Sequence, residues 1–197
     1  SLPGGLARIH SGLCGRIPNR LWKSGGGNVE KPCAEGLTGG LKQKGLRKDA
    51  KPMIVHATEN QLEDVAALAL KLFPETGSDT IREEMRALLS DGNAAIFLHY
   101  TGEGVPVGFA QCQLRFDYVE GTRSSPVGYL EGIFVEEPSR KQGVAKELLR
   151  RAEAWAKEKG CSEFASDCEL GNTESLSFHQ SVGFREANRI ICFTKQL

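Results

Sequence analysis

With 197 residues the chain suits one domain plus an appendage, and no stretch stays apolar for long enough to cross a membrane. A formal charge of zero hides an uneven split: residues 1–52 carry +7 and the remainder −7, so the part with regular pattern is acidic and attracts cations at long range. Six cysteines (Cys14, Cys33, Cys112, Cys161, Cys168 and Cys192) make no CxxC pair and no Cys/His spacing, so no metal site is expected and they read as reduced thiols of a cytoplasmic protein.

Residues 1–52 hold eleven glycines, several prolines and scattered basic residues with no sustained period. Such a segment buries too little apolar surface to offset its ordering entropy, and it reads as a disordered extension. Its origin is expected to lie in expression or upstream translation, because regular pattern begins at Met53, the first methionine. The other use of a basic, glycine-rich arm is to hold nucleic acid.

From Met53 the elements follow in order. Met53–Ala57 reads as a strand. Thr58 and Gln61 form a capping box ahead of a helix with its apolar stripe on Leu62, Val65, Ala66, Leu68, Ala69, Leu72 and Phe73. Pro74 ends it, and Ser78 or Asp79 caps a second helix with Ile81, Met85, Leu88 and Leu89 on one face. Ala94–Tyr100 and Val105–Tyr118 form a hairpin across the turn Thr101–Gly104. A polar loop, Glu120–Pro126, leads to the strand Tyr129–Val135, apolar except for Glu131 and interrupted by Gly132, the pattern of a buried strand with a local irregularity. Gly143–Lys159 is a long helix stopped by Gly160. Glu163–Cys168 is a further strand, Asn172–Val182 a helix ended at Gly183, and Ile190–Thr194 a last strand.

The stretch Tyr129–Arg150 organises the rest. A strand runs through an acidic, proline-containing turn into the basic glycine loop Arg140–Lys146, which opens a helix. That arrangement aims several backbone N–H groups and the positive helix end at one point, which favours a phosphate. Neither GxxxxGK[ST] nor GxGxxG is present, so the loop is not of the common nucleotide-binding kinds. Arg140, Gly143 and Ala145 do match R/Q-x-x-G-x-G/A, and the loop resembles the pyrophosphate loop of the GCN5-related N-acetyltransferases. The element order over roughly residues 53–197 is similar to that family's α/β fold, a mixed central sheet with splayed central strands flanked by helices. Residues 53–197 are therefore expected to form the acetyltransferase domain. Three further segments narrow the likeness: Arg115–Val135, Phe164–Asp167 and His179–Phe184 resemble the chromosomal aminoglycoside 6′-N-acetyltransferases of the Acinetobacter and Salmonella type.

The resemblance implies acetyl-CoA as cosubstrate and direct attack of an amine on its thioester. Ile133, Phe134 and Val135 would offer backbone groups to the pantetheine arm. Arg140, Lys141, Gln142, Gly143, Val144, Ala145 and Lys146 would hold the pyrophosphate. Asn172 would touch the cofactor arm, and His179 stands where the family has the tyrosine that protonates the departing thiolate. Phe73, Tyr118, Glu131, Asp167 and Asn188 would line the substrate site. The subgroup commonly has tryptophan at the position of Phe73 and an acid at that of Asn188.

Physically, a polycationic sugar needs carboxylates and aromatic faces. Glu131, charged within an apolar strand, needs a cleft or a partner. Either Glu131 or Asp167 would take the amine proton. Asp117 and Glu120 read as solvated charges that add to the negative field. The family's dimers form through C-terminal strands, so a homodimer is expected. Two alternatives remain at this level. One is the same chemistry on another amine, such as a polyamine or a protein N-terminus. The other is a non-catalytic CoA-binding module with a nucleic-acid-binding arm.

Overall fold

The computed structural model describes residues 51–197, so expectations for residues 1–50 lie outside the described residues. Five strands make one sheet in the order β1 (Met53–His56), β2 (Ala94–Tyr100), β3 (Pro106–Arg115), β4 (Val127–Val135) and β5 (Phe164–Ser166). The first four pair antiparallel, β2 and β3 across a short turn and β1 and β2 across residues 57–93, which carry two helices. β4 and β5 pair parallel, which requires a crossover. That crossover is α3 (Val144–Glu158).

Alternation along the strands splits the core into two layers. Ile96, Leu98 and Phe109 face α1 (Leu62–Leu72) and α2 (Ser78–Ser90). Ala95, Phe97, Ala110, Cys112, Leu130 and Ile133 face α3, which presents Leu148, Leu149, Ala152 and Trp155. Each fully buried aliphatic side chain here contributes about 1.5–3 kcal/mol, so the site rests on a sheet held firmly from both sides. The entry to α1 is fixed by Gln61, whose Oε1 accepts from the Thr58 backbone N–H at 3.0 Å and from the Thr58 hydroxyl at 2.9 Å.

Several boundaries differ from the pattern. α2 is capped by Gly77, and Ser78 is already its first residue. β3 stops at Arg115 rather than Tyr118. Beyond Arg115 the ladder with β4 ends, and Phe116 is 58% exposed. A loop then carries the chain to Val127, closed by Ser125 Oγ donating to the Phe116 carbonyl at 3.0 Å. β4 accordingly begins two residues before Tyr129. α4 (Thr173–Ser181) lies where expected.

The last strand does not form within the chain. Ile190–Thr194 pairs with no other strand, and Ile190, Ile191 and Phe193 are 68%, 81% and 88% exposed. An apolar run of strand-forming residues marks a segment fit to pair, but a strand forms only where an edge takes it up. Among the described residues, none takes it up.

Candidate active site

The candidate site centres on Glu131, where the β3–β4 register slips. Across β3 and β4, Gln111 faces Gly132 and Cys112 faces Leu130, so Glu131 is the extra residue of a β-bulge. On its other side β4 meets β5 only at Gly128, Tyr129 and Leu130, and β5 ends at Ser166. From Glu131 to Val135 the outer edge of β4 therefore faces a gap instead of a strand. This is the splay expected from the sequence, and it opens at the bulge. Ile133, Phe134 and Val135 pair with Ala110, Phe109 and Gly108 on the β3 side, which leaves their outward backbone groups on the gap.

The gap leads to the glycine loop. Gly143 caps α3 with φ 86°, a conformation that favours glycine, and a Cβ added there would meet nothing within 4 Å. Lys141 also has positive φ, 59°. The backbone of residues 140–146 thus curls around a cavity of about 270 Å³, lined from the loop by Arg140, Lys141, Gly143, Val144, Ala145 and Lys146 and from α4 by Phe178, Ser181 and Val182. Arg140 Nε donates to the Val135 carbonyl at 3.0 Å, tying the loop to the end of β4. Gln142 Nε2 donates to the Pro138 carbonyl at 2.8 Å. An open cradle of N–H groups at the start of a 15-residue helix fits a diphosphate.

At the other end of the gap lies a charge network. Arg115 Nε and Nη2 donate to Glu131 Oε1 at 3.0 and 2.9 Å, and Nη2 also donates to Oε2 at 2.9 Å. The same guanidinium lies over the Tyr129 ring, 3.3 Å from its centroid. Tyr129 donates its hydroxyl to Asp167 Oδ1. Burial, with Asp167 adding to it, pushes the Tyr129 phenol well above its ordinary range, so it stays protonated and donates. Glu131 and Asp167, both singled out from sequence, are thus brought into one network. Arg115 and Tyr129, which join them, were not singled out. Arg115 stands opposite Val127 in the register, so ordinary cross-strand pairing does not match it with Glu131.

The remaining expected residues divide. Tyr118 is 80% exposed on the loop, and its hydroxyl donates to Glu120 Oε2 at 3.0 Å. Asn188 Nδ2 donates to Glu120 Oε1 at 3.4 Å. Glu120, exposed as expected, thus contacts both Tyr118 and Asn188. Phe73 is buried among α1 and α2, beside Gly132 of the bulge strand. Asn172 caps α4, its Oδ1 accepting from the Ser175 N–H at 3.0 Å.

His179 has a different setting from the one a proton donor needs. It is 8% exposed, its Nδ1–H donates to the Ser175 carbonyl at 2.7 Å, and Nε2 lies 3.0 Å from Ser166 Oγ. Burial holds the imidazole below its ordinary value, which keeps it neutral. A neutral ring with its one N–H tied to backbone pins α4 to β5, and has no proton ready for a thiolate.

Two more groups bear on the chemistry. Glu163 Oε2 accepts from the Arg123 and Ser124 N–H groups at 2.8 and 2.7 Å and from the Ser124 hydroxyl at 2.6 Å. These bonds, the Ser124 hydroxyl first, hold its carboxyl below the usual range and anchor the loop that carries Tyr118. Cys112 lies beneath Glu131, and burial, reinforced by that carboxylate, pushes its thiol up, away from any nucleophilic form.

Comparison with known proteins agrees with this geometry. The acetyltransferase (GNAT) family profile matches residues 62–184. The aminoglycoside N(6′)-acetyltransferase type 1 of Serratia marcescens is 39% identical over 145 residues, covering 74% of this chain and 99% of that protein. Its counterpart in Acinetobacter haemolyticus is 40% identical, covering 72% and 96%. Among solved structures, AAC(6′)-Iy in complex with the bisubstrate analogue CoA-S-monomethyl-acetylneamine superposes with a TM-score of 0.72 at 37% identity, over 75% of this chain and 100% of that one. AAC(6′)-Ih from Acinetobacter baumannii gives 0.71 at 38%, over 74% and 99%.

Proposed function

The chain belongs to the acetyltransferase (GNAT) family, and from that premise we propose that it transfers the acetyl group of acetyl-CoA to the 6′-amino group of aminoglycosides. Residues 53–197 form the catalytic domain in this proposal. The observation that carries the substrate class is the linked carboxylate pair Glu131 and Asp167, set where β4 parts from β5 in a domain of net negative charge. Ammonium groups of an amino sugar are recognised by such carboxylates.

The two halves of the site have separate tasks. The loop N–H groups of residues 140–146 hold the pyrophosphate, and the outward backbone of Ile133, Phe134 and Val135 holds the pantetheine arm. Bound there, acetyl-CoA supplies the activated acyl group as a thioester. The substrate amine must lose a proton before it attacks. Asp167 is exposed and receives its hydrogen bond from a neutral phenol, so it suits the base. Glu131 carries a bidentate guanidinium that stabilises it as an anion, which suits it to hold a cation. Tyr118, Glu120 and Asn188 form the outer wall against the sugar. Cys112 takes no covalent part, and attack is direct.

The test is release of free thiol from acetyl-CoA with kanamycin or tobramycin, against spermidine as comparison amine. Turnover with the drugs at far higher kcat/KM is expected. Tight CoA binding with no turnover on several such drugs would refute the substrate assignment while leaving the family intact.

The C-terminal segment supports a homodimer. Ile190, Ile191 and Phe193 expose apolar side chains, and β5 pairs on one side only, with β4. Adding the segment of one protomer to a partner's sheet buries both. Truncation after Arg189 then gives a monomer by light scattering. The described cysteines Cys112, Cys161, Cys168 and Cys192 are all free, which supports a reducing, cytoplasmic setting. No described helix is long and apolar enough to cross a membrane.

A further inference from the structure

Arg115 is the residue whose placement the acetyl transfer proposed above leaves unexplained. It ends β3, opposite Val127, yet its side chain runs back across the face of Tyr129 to reach Glu131. That path costs side-chain entropy, and a solvated arginine would have no reason to take it. The side chain is 32% exposed and that of Glu131 only 12%, so the pair is partly withdrawn from water, where a missing partner is expensive.

The geometry around it is specific. Three hydrogen bonds between 2.9 and 3.0 Å fix both oxygens of Glu131. The stack on Tyr129 holds the guanidinium plane, and the same ring sends its hydroxyl to Asp167. One cation thus bridges two carboxylates, directly to Glu131 and through the ring to Asp167. Without it, two anions near one bulge would repel and Glu131 would gain by taking up a proton. With it, the formal charges of Arg115, Glu131 and Asp167 leave the cluster one net negative charge, the complement of a single ammonium.

We propose that Arg115 is a positioning residue that sets amino-sugar affinity by clamping Glu131 in place as a carboxylate, while leaving the acetyl-CoA half of the reaction untouched. This rests on the acetyl transfer to an amino sugar proposed above. Lysine cannot replace it fully, because an ammonium has neither the fork for two oxygens nor the plane for a ring.

The experiment compares wild type, Arg115→Met and Arg115→Lys in steady-state thiol release, varying kanamycin at saturating acetyl-CoA and then the reverse, with CoA titration calorimetry as the folding control. Arg115→Met is expected to raise the KM for kanamycin by about tenfold or more, with the KM for acetyl-CoA and CoA affinity within about twofold of wild type. Arg115→Lys is expected to fall between the two. An unchanged kanamycin KM in Arg115→Met overturns the proposal, and so does a parallel rise in both KM values. If Arg115→Met fails to bind CoA, Arg115→Lys decides: a wild-type kanamycin KM there overturns the proposal, and a selective rise upholds it. A wild-type protein that binds CoA and acetylates no aminoglycoside refutes the substrate class itself, a separate outcome seen before any variant is made.

Discussion

The proposed cofactor end and the proposed substrate end of the gap are built from different materials. Around Gly143 the groups offered are backbone N–H donors, shaped by two left-handed residues and the start of α3. Around Glu131 they are side chains, Arg115, Tyr129 and Asp167, held by charge and stacking. A backbone cradle depends on conformation and tolerates most side-chain changes. A side-chain network depends on each member's charge. Substitutions should therefore act by different rules at the two ends.

The sharpest test of that contrast is Asp167→Asn. If Asp167 is the base, kcat should fall by about 10²- to 10⁴-fold with CoA affinity retained. An effect below about threefold would move the base elsewhere. At the other end, Gly143→Ala meets no steric contact and costs only the left-handed conformation. CoA dissociation by calorimetry should weaken about tenfold, with drug KM nearly unaltered. Equal losses of both ligands would break the division between the ends.

Glu163→Gln addresses the loop between them. The variant keeps a hydrogen-bond acceptor but loses the charge that three donors surround. Drug KM should rise about fivefold, through Tyr118 and Glu120, and CoA binding should hold.

The smallest effect belongs to His179. Its folded imidazole sits below the ordinary value of 6.5, so below that pH the unfolded chain takes up a proton before the folded one does. Stability should therefore fall as pH drops from about 6.5 through the lower folded value, and be unaffected above it. Urea midpoints of wild type and His179→Gln should converge on acidification. The kcat of His179→Gln should stay within about threefold of wild type, since a structural pin takes no part in proton transfer. A hundredfold loss would restore His179 as the acid.

The glycine loop was legible in the sequence because its determinants are local. Arg140, Gly143 and Ala145 lie within six residues, and the strand before and helix after are marked by their own periods. The irregularity in β4 was also legible, as a charge and a glycine in an apolar run. That Glu131 itself is the bulged residue emerges only from the register of its neighbours against Gln111 and Cys112. His179 read as a donor because the family motif sets it there. Its burial between Ser175 and Ser166 depends on how α4 packs on β5. The segment Ile190–Thr194 read as a strand because its residues favour strands, whereas pairing depends on which edge the fold brings to it.

Local pattern in the chain determined the helices, the strands, the glycine loop and the two carboxylates, since each depends on neighbours a few residues away. Tertiary structure alone decided which cation meets Glu131, which phenol meets Asp167, and that Glu120 joins Tyr118 to Asn188. Those partners lie 16, 38 and 68 residues apart, and only the sheet register and the packing of the loops bring them within hydrogen-bond reach. Such contacts are fixed by the geometry of the whole fold, which no single stretch of sequence carries.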